Sequence, residues 1–381
     1  MTGTHASDGL ANREWARRPA VAVYHYAIVV LMIAAAILGG TSFDGLQIAC
    51  EATTIILLAY GLLKVRWTGV DAVMMGALVV TSLASFFWND FVTFALNFKM
   101  YLLCLLTLMY FRKVRFLPHR LVAAVFVVNA LLIIHQYVAG EFILPTATFF
   151  GYYQSYMNSR PVGLFLTPHA SSFFVAICML YTLGTKPLKS VLSVVLISMT
   201  GTLTNLIGVI AQATDYVLRK LRAYRRSFGR FPLITYIIVP LAALYFMVEP
   251  FLELLRLSSY TRYYSAEIIL PQLFDPRFFR EVLRFIPANY ADLTVQQEES
   301  YAQFGNEIGL VKVFVEGGLL LGGVTLWAVL RELRAFRLFT YFTLLHYAMV
   351  INTPFFLFLM IAYNRDMPEP VAADEHAMRE P

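Results

Sequence analysis

The sequence predicts an all-α polytopic membrane protein, a bundle of about 12 transmembrane helices with one long extracytoplasmic loop before the third-last span. Three observations carry this expectation. Of the 381 residues, 59% are hydrophobic and only 14% charged, with a mean hydropathy of +0.64; such a chain belongs in lipid rather than in water. The apolar residues come in runs of about 20, the length a helix needs to cross the hydrocarbon core. Short polar turns alternate with clusters of Lys and Arg, as expected when basic residues stay in the cytoplasmic loops. In lipid each backbone N–H and C=O must find its partner within the protein, so these runs are expected to be helices.

Residues 1–19 are polar and basic, with Arg13, Arg17 and Arg18 ahead of the first apolar run, which places this tail in the cytoplasm. No small-residue cleavage site follows, so the first run reads as a retained anchor and not a signal peptide. The transmembrane domain then covers residues 20–364. Spans one and two, about 20–40 and 45–63, flank the outer turn TSFDG, and Lys64 and Arg66 mark the return to the inside. Spans three and four, about 69–87 and 94–111, flank the turn WND, and the cluster RKVRFLPHR from Arg112 to Arg120 is again cytoplasmic. Span five, about 121–139, leads to an outer loop at 140–167 rich in interfacial aromatics.

Span six returns the chain to Lys186 and Lys189. The run from Ser190 to Leu218 is too long for one span, and Thr200-Gly201 divides it into two short ones that meet near the outer surface. The basic stretch RKLRAYRRSFGR follows on the inside, and span nine, about 231–248, delivers the long outer loop at 249–307. Span ten is expected at about 308–330. The last apolar run, Leu338 to Tyr363, is interrupted by Asn352, Thr353 and Pro354; a proline can kink a span or end it, and two short helices are favoured here. Residues 365–381 form a cytoplasmic tail.

The formal charge of +6 rests on Lys and Arg beside apolar segments, where they set topology, so nucleic acid is not an expected partner. Cys50, Cys104 and Cys178 lie far apart inside apolar stretches and suggest neither a disulfide framework nor a metal site. There is no Walker A loop, no H-E-x-x-H and no D-x-D pair in the outer loops, so neither an ATP-driven pump nor a metal-dependent enzyme using soluble nucleotide sugars is expected.

The long outer loop carries Arg256, Arg262, Arg277, Arg280 and Arg284, against the usual exclusion of cations from that side, although long loops can cross regardless of charge. The other outer loop carries Arg160, in RPVGLFLTPHASSFF. A guanidinium presents a planar fork of donors that suits a phosphate, and two forks from separate loops could clamp a pyrophosphate; interfacial snorkelling is the plain alternative for each. Arg256 is a further contributor. His169 and Glu307, each where a loop enters a span, are the candidate acids or bases. Within the spans lie Glu51, Lys99, Lys312 and Glu316, and ionisable groups at that depth are functional candidates by default. Lys312 and Glu316 are four apart and read as an ion pair on one helix face. Lys99 has no local partner; it either adds positive charge to the anion site or pairs with Glu51.

RPVGLFLTPHASSFF resembles the segment of the O-antigen polymerase and ligase superfamily in which an outer arginine precedes a glycine and an N-P-N-like motif opening a span. GNEIGLVKVFVEGGLLLGG resembles that family's second motif, with Asn306, Glu307, Glu316, Gly318 and Gly322 in matching places. The resemblance covers about Arg160 to Gly323. Ligases of the family usually carry a histidine before the asparagine, and Gly305 stands there, so the polymerase side is favoured.

The resemblance implies a GT-C-like glycosyltransferase of the bacterial inner membrane that joins undecaprenyl-pyrophosphate-linked oligosaccharide repeats at the outer face into exopolysaccharide, capsule or O-antigen. Arg160 and Arg262 would hold the donor pyrophosphate, Lys99 and Arg256 would add charge, and Glu307 or His169 would deprotonate the acceptor hydroxyl. No cofactor and no metal is called for, since the arginines stabilise the leaving group. The lipid bilayer is a partner, and a chain-length regulator or export complex is a further expected one. Ligase-type transfer is the nearest alternative; a lipid-linked glycan flippase or transporter, or an accessory scaffold, are the others.

Overall fold

A computed structural model describes residues 19–39, 43–140, 160–183, 185–225, 280, 283–288, 309–344 and 348–366. Every regular element among them is helical. In chain order these are α1 (Pro19–Leu38), α2 (Asp44–Leu62), α3 (Gly69–Trp88), α4 (Phe91–Phe111), α5 (His119–Ala139), α6 (Pro168–Thr182), α7 (Pro187–Met199), α8 (Leu203–Arg225), α9 (Gly309–Glu332), α10 (Arg337–Leu344), α11 (Met349–Asn352) and α12 (Pro354–Asp366). A 3₁₀ turn at Arg334–Phe336 precedes α10.

By length and composition five of the described helices are long and apolar enough to cross a membrane: Val21–Leu38, Gly45–Leu62, Gly69–Trp88, His119–Ala139 and Gly309–Glu332, the last of them interrupted at Gly318. Their outward residues are large and apolar, among them Val23, Ile56, Phe87 and Val138, the surface that lipid requires. The centre is built differently. From Pro354 to Ile361 each residue of α12 is buried, and so is nearly all of α6; helices apolar on every side belong in the interior. Phe165, Phe173, Phe174, Phe355 and Phe356 interlock there with ring centroids 5.3–6.0 Å apart. Cys50, Cys104 and Cys178 are buried as free thiols.

At 15 and 13 residues, α6 and α12 are about 22 and 20 Å long, short of the roughly 30 Å hydrocarbon core. The run from Ser190 to Leu218 breaks at Thr200–Thr202, as the sequence led one to expect, but α8 continues to Arg225. The last run breaks before Pro354. Span nine lies outside the described residues.

Contacts between distant helix ends sort the bundle into two faces, consistent with alternating passes. At one face Asp71, at the start of α3, is fully buried. It accepts from Arg112 at 2.6 Å and meets Lys113 at 2.7 Å, while the Thr68 N–H donates to it at 2.6 Å. The cap Thr68 and the acidic Asp71 three residues on form a capping box. Arg112 approaches Glu332 at the end of α9 (3.8 Å), Arg365 near the end of α12 donates to the Phe111 carbonyl (3.0 Å), and His119 stacks on Tyr181. The opposite face gathers the ends of α3 and α5 and the starts of α4, α6 and α8.

Asp71→Ala strips the counter-charge from two cations that are each 9% exposed. It is expected to destabilise the bundle by about 3–5 kcal/mol, read as a lowered melting temperature in detergent, with Asp71→Asn falling between.

Candidate functional site

The loop that delivers Arg160 is held by side chains rather than by backbone pairing. The Gln136 Oε1 accepts from the N–H of Val162 and of Gly163, each at 2.8 Å; the Asn129 Oδ1 accepts from Leu164 N–H at 2.8 Å. Ser171 Oγ accepts from Phe165 N–H and donates to the Val162 carbonyl. Asn129 and Gln136 are seven residues apart on α5, and so on one face two turns apart. Gly163 has φ +63°, and a Cβ there would lie 2.5 Å from Asn129 Oδ1 and 2.6 Å from Ser171 Oγ, so only glycine fits. The loop ends at Thr167, which caps α6 by accepting from Ala170 N–H (3.1 Å), with Pro168 at the first helical position.

Arg160, half-buried, lies against the turn between α7 and α8: a Cβ added to Gly201 would fall 3.5 Å from its Nε. Asn205 Nδ2, in the first turn of α8, donates to the His169 carbonyl at 3.0 Å and to Ser172 Oγ. Arg160, His169, Gly201 and Asn205 therefore gather where the 140–167 loop, α6 and α8 meet. Asn129, Gln136 and Asn205 went unread in the sequence. Two amides seven apart in an otherwise apolar span were the available signal for the first two.

Gln136→Leu would leave the Val162 and Gly163 N–H groups buried and unpaired, at about 1–3 kcal/mol each. A lowered melting temperature is expected, with Gln136→Glu, which keeps the accepting oxygen, closer to wild type.

The second feature is a break in α9. Gly318 adopts φ 64°, ψ 170°, a backbone essentially reserved for glycine. The halves on either side fold sharply against each other: a Cβ on Gly322 would sit 2.6 Å from the Val313 carbonyl, although nine residues of straight helix would separate them by about 13.5 Å. Each backbone group named here finds a substitute partner. Leu319 N–H donates to the Arg284 carbonyl (2.8 Å), Ala288 N–H donates to the Val315 carbonyl (2.9 Å), and the Tyr101 hydroxyl donates to the Val313 carbonyl (2.6 Å). Such replacement is what makes a broken helix tolerable at membrane depth.

The stretch 284–288 that fills the break is anchored in turn by Asn89 Nδ2 donating to the Pro287 carbonyl (2.8 Å) and by Asn97 Nδ2 donating to that of Ala288 (3.4 Å). Span ten is therefore a bent pair of half-helices, and residues 284–288 of the long outer loop are docked into the bundle, with Pro287 and Ala288 buried.

Of the ionisable residues inside spans, Lys99 pairs with Glu51 at 2.6 Å and Lys312 with Glu316 at 3.8 Å. Lys99 is thus answered by a carboxylate of α2, the second of the two readings that the sequence left open. Two buried ionisable groups went unread as well: Asp71, in the first turn of α3, and His25, whose Nε2 hydrogen-bonds the Tyr110 hydroxyl at 2.7 Å. Arg256, Arg262 and Glu307 lie outside the described residues. Among the described residues no group of three or more His, Cys, Asp or Glu side chains is placed to hold a metal ion.

Compared with models of protein families, with curated proteins and with solved structures, the chain shows no match.

Proposed function

We propose that this membrane protein polymerises polyprenyl-pyrophosphate-linked oligosaccharide repeats, undecaprenyl pyrophosphate being the carrier that the sequence resemblance implies. The observation that supports the reading best is the anchoring of Arg160. Three polar side chains from α5 and α6 fix the backbone of a short loop so that one guanidinium rests on the α7–α8 turn, from which Asn205 reaches back to the His169 carbonyl. A snorkelling arginine needs no such support, whereas a fork that must meet a phosphate in one geometry does. In this mechanism Arg160 and Arg262 stabilise the charge that grows on the departing diphosphate. Glu307 or His169 takes the proton of the acceptor hydroxyl as the new glycosidic bond forms and the sugar–phosphate bond breaks.

The transporter reading gains one observation, the discontinuous α9, since broken helices commonly frame substrate sites in transporters. It is disfavoured by the pairing of Lys99 and Lys312 with carboxylates, which gives a translocation path little net charge for an anionic lipid.

Deleting the gene and resolving the cell-surface glycan on a gel separates these readings. Single repeats in place of a ladder are expected. An unchanged ladder overturns the polymerase reading, and loss of surface-exposed repeats altogether favours the transporter.

A further inference from the structure

The cluster at the other face of the bundle carries more charge than it neutralises. Among the described residues four cations, Arg112, Lys113, Arg115 and Arg365, stand near three carboxylates, Asp71, Glu332 and Asp366, an excess of one positive charge. Asp71 is saturated: one of its oxygens takes Arg112, and the other takes the Thr68 N–H, the Thr68 hydroxyl and Lys113. Glu332 lies only at the edge of contact, 3.8 Å from Arg112.

Donors are in surplus as well. Arg365, half-buried, donates to the Phe111 carbonyl, which leaves most of its five N–H groups for another acceptor. Arg365 also feels Glu332, and against that attraction the like charges of Arg115 and Arg112 both act on it. Burial pushes the Lys113 ammonium down from the ordinary lysine range, partly offset by its bond to Asp71. Cations held this close at the end of a membrane bundle call for an oxyanion that can accept from several of them at once.

We propose that the ends of α4 and α12, with Arg112, Arg115 and Arg365, form a binding site for the phosphate of an anionic phospholipid in the adjacent leaflet. The lipid source is favoured by position: Arg112 joins the ends of α4 and α12 to the start of α3 and the end of α9, helices whose outer residues include Val73, Val80 and Trp327, and Lys and Arg at helix ends read as the cytoplasmic boundary, where anionic headgroups concentrate. The headgroup phosphate would accept from Arg365 and Arg115, tying the end of α12 to the loop after α4. The site is independent of the polymerase reading, because it is on the face opposite Arg160.

The test uses the full chain in nanodiscs of phosphatidylcholine, with and without phosphatidylglycerol, reading melting temperature and bound lipid by native mass spectrometry. Phosphatidylglycerol is expected to raise the melting temperature of the wild type and to remain bound. Arg365→Gln is expected to cut retained phosphatidylglycerol about tenfold and to remove most of the shift. Arg115→Gln, at an exposed position, gives the same direction should Arg365→Gln fail to accumulate. Lys186→Gln, an exposed cation at the start of α7, is expected to change neither. Equal retention by wild type, Arg365→Gln and Arg115→Gln overturns the site. Inorganic phosphate in phosphatidylcholine discs reproducing the full shift overturns the lipid as its source.

Discussion

Arg160→Ala and Arg262→Ala are each expected to abolish high-molecular-weight polysaccharide while the protein still inserts and accumulates. A positioned donor facing the charge that develops in a transition state contributes about 2.7–4 kcal/mol, or roughly 10²–10³ in rate, enough to erase a ladder. The loop backbone is expected to survive the loss of the Arg160 side chain, because Asn129, Gln136 and Ser171 hold it. Arg160→Lys sharpens the result: the charge stays and the planar fork goes, so partial activity implies a point charge and complete loss implies bidentate contact. Full-length polymer from both alanine variants removes the mechanism.

Gly318→Ala is expected to be the most damaging single methyl among the described glycines. The new Cβ would lie 2.3 Å from the Phe285 carbonyl oxygen, a backbone atom, at a φ of +64°. The unfavourable backbone alone costs about 1–3 kcal/mol, and the clash expels 284–288 from the break, leaving Leu319 N–H and the Val315 carbonyl without partners, at about 1–3 kcal/mol each. Loss of the monodisperse peak on size exclusion, or a large fall in melting temperature, is the outcome to look for. Gly323→Ala is the matched control, since the nearest atom would be 3.9 Å from its Cβ and alanine favours helix over glycine by about 1 kcal/mol. If Gly318→Ala melts with Gly323→Ala at or above wild type, the break is not what holds this end together.

Several features of the candidate site were legible in advance for local reasons. The helix start at Thr167–Pro168, the division at Thr200–Gly201, the interruption before Pro354 and the Lys312–Glu316 pair all depend on neighbours within a turn or two. The break at Gly318 was half-visible: the glycines of VEGGLLLGG stood out, yet span ten still read as continuous, because hydropathy is blind to direction. The amides of α5 were passed over because a lone Asn or Gln in an apolar run carries no indication of what it will hold. Lys99 read as either free or paired, and the choice required knowing that α2 and α4 lie side by side.

What the sequence determined by itself is the solvent and the secondary structure. Lipid offers no hydrogen bonds, so every apolar run must satisfy its backbone within the protein, and a window of about 20 residues contains that information. Tertiary structure decided which polar groups meet. Asn89 finds the Pro287 carbonyl 198 residues away, and Tyr101 finds that of Val313 across 212. No local pattern encodes such pairs: they arise because a glycine breaks one helix, its freed backbone groups must be answered inside the bundle, and only the packing of the other helices brings the answering groups within reach.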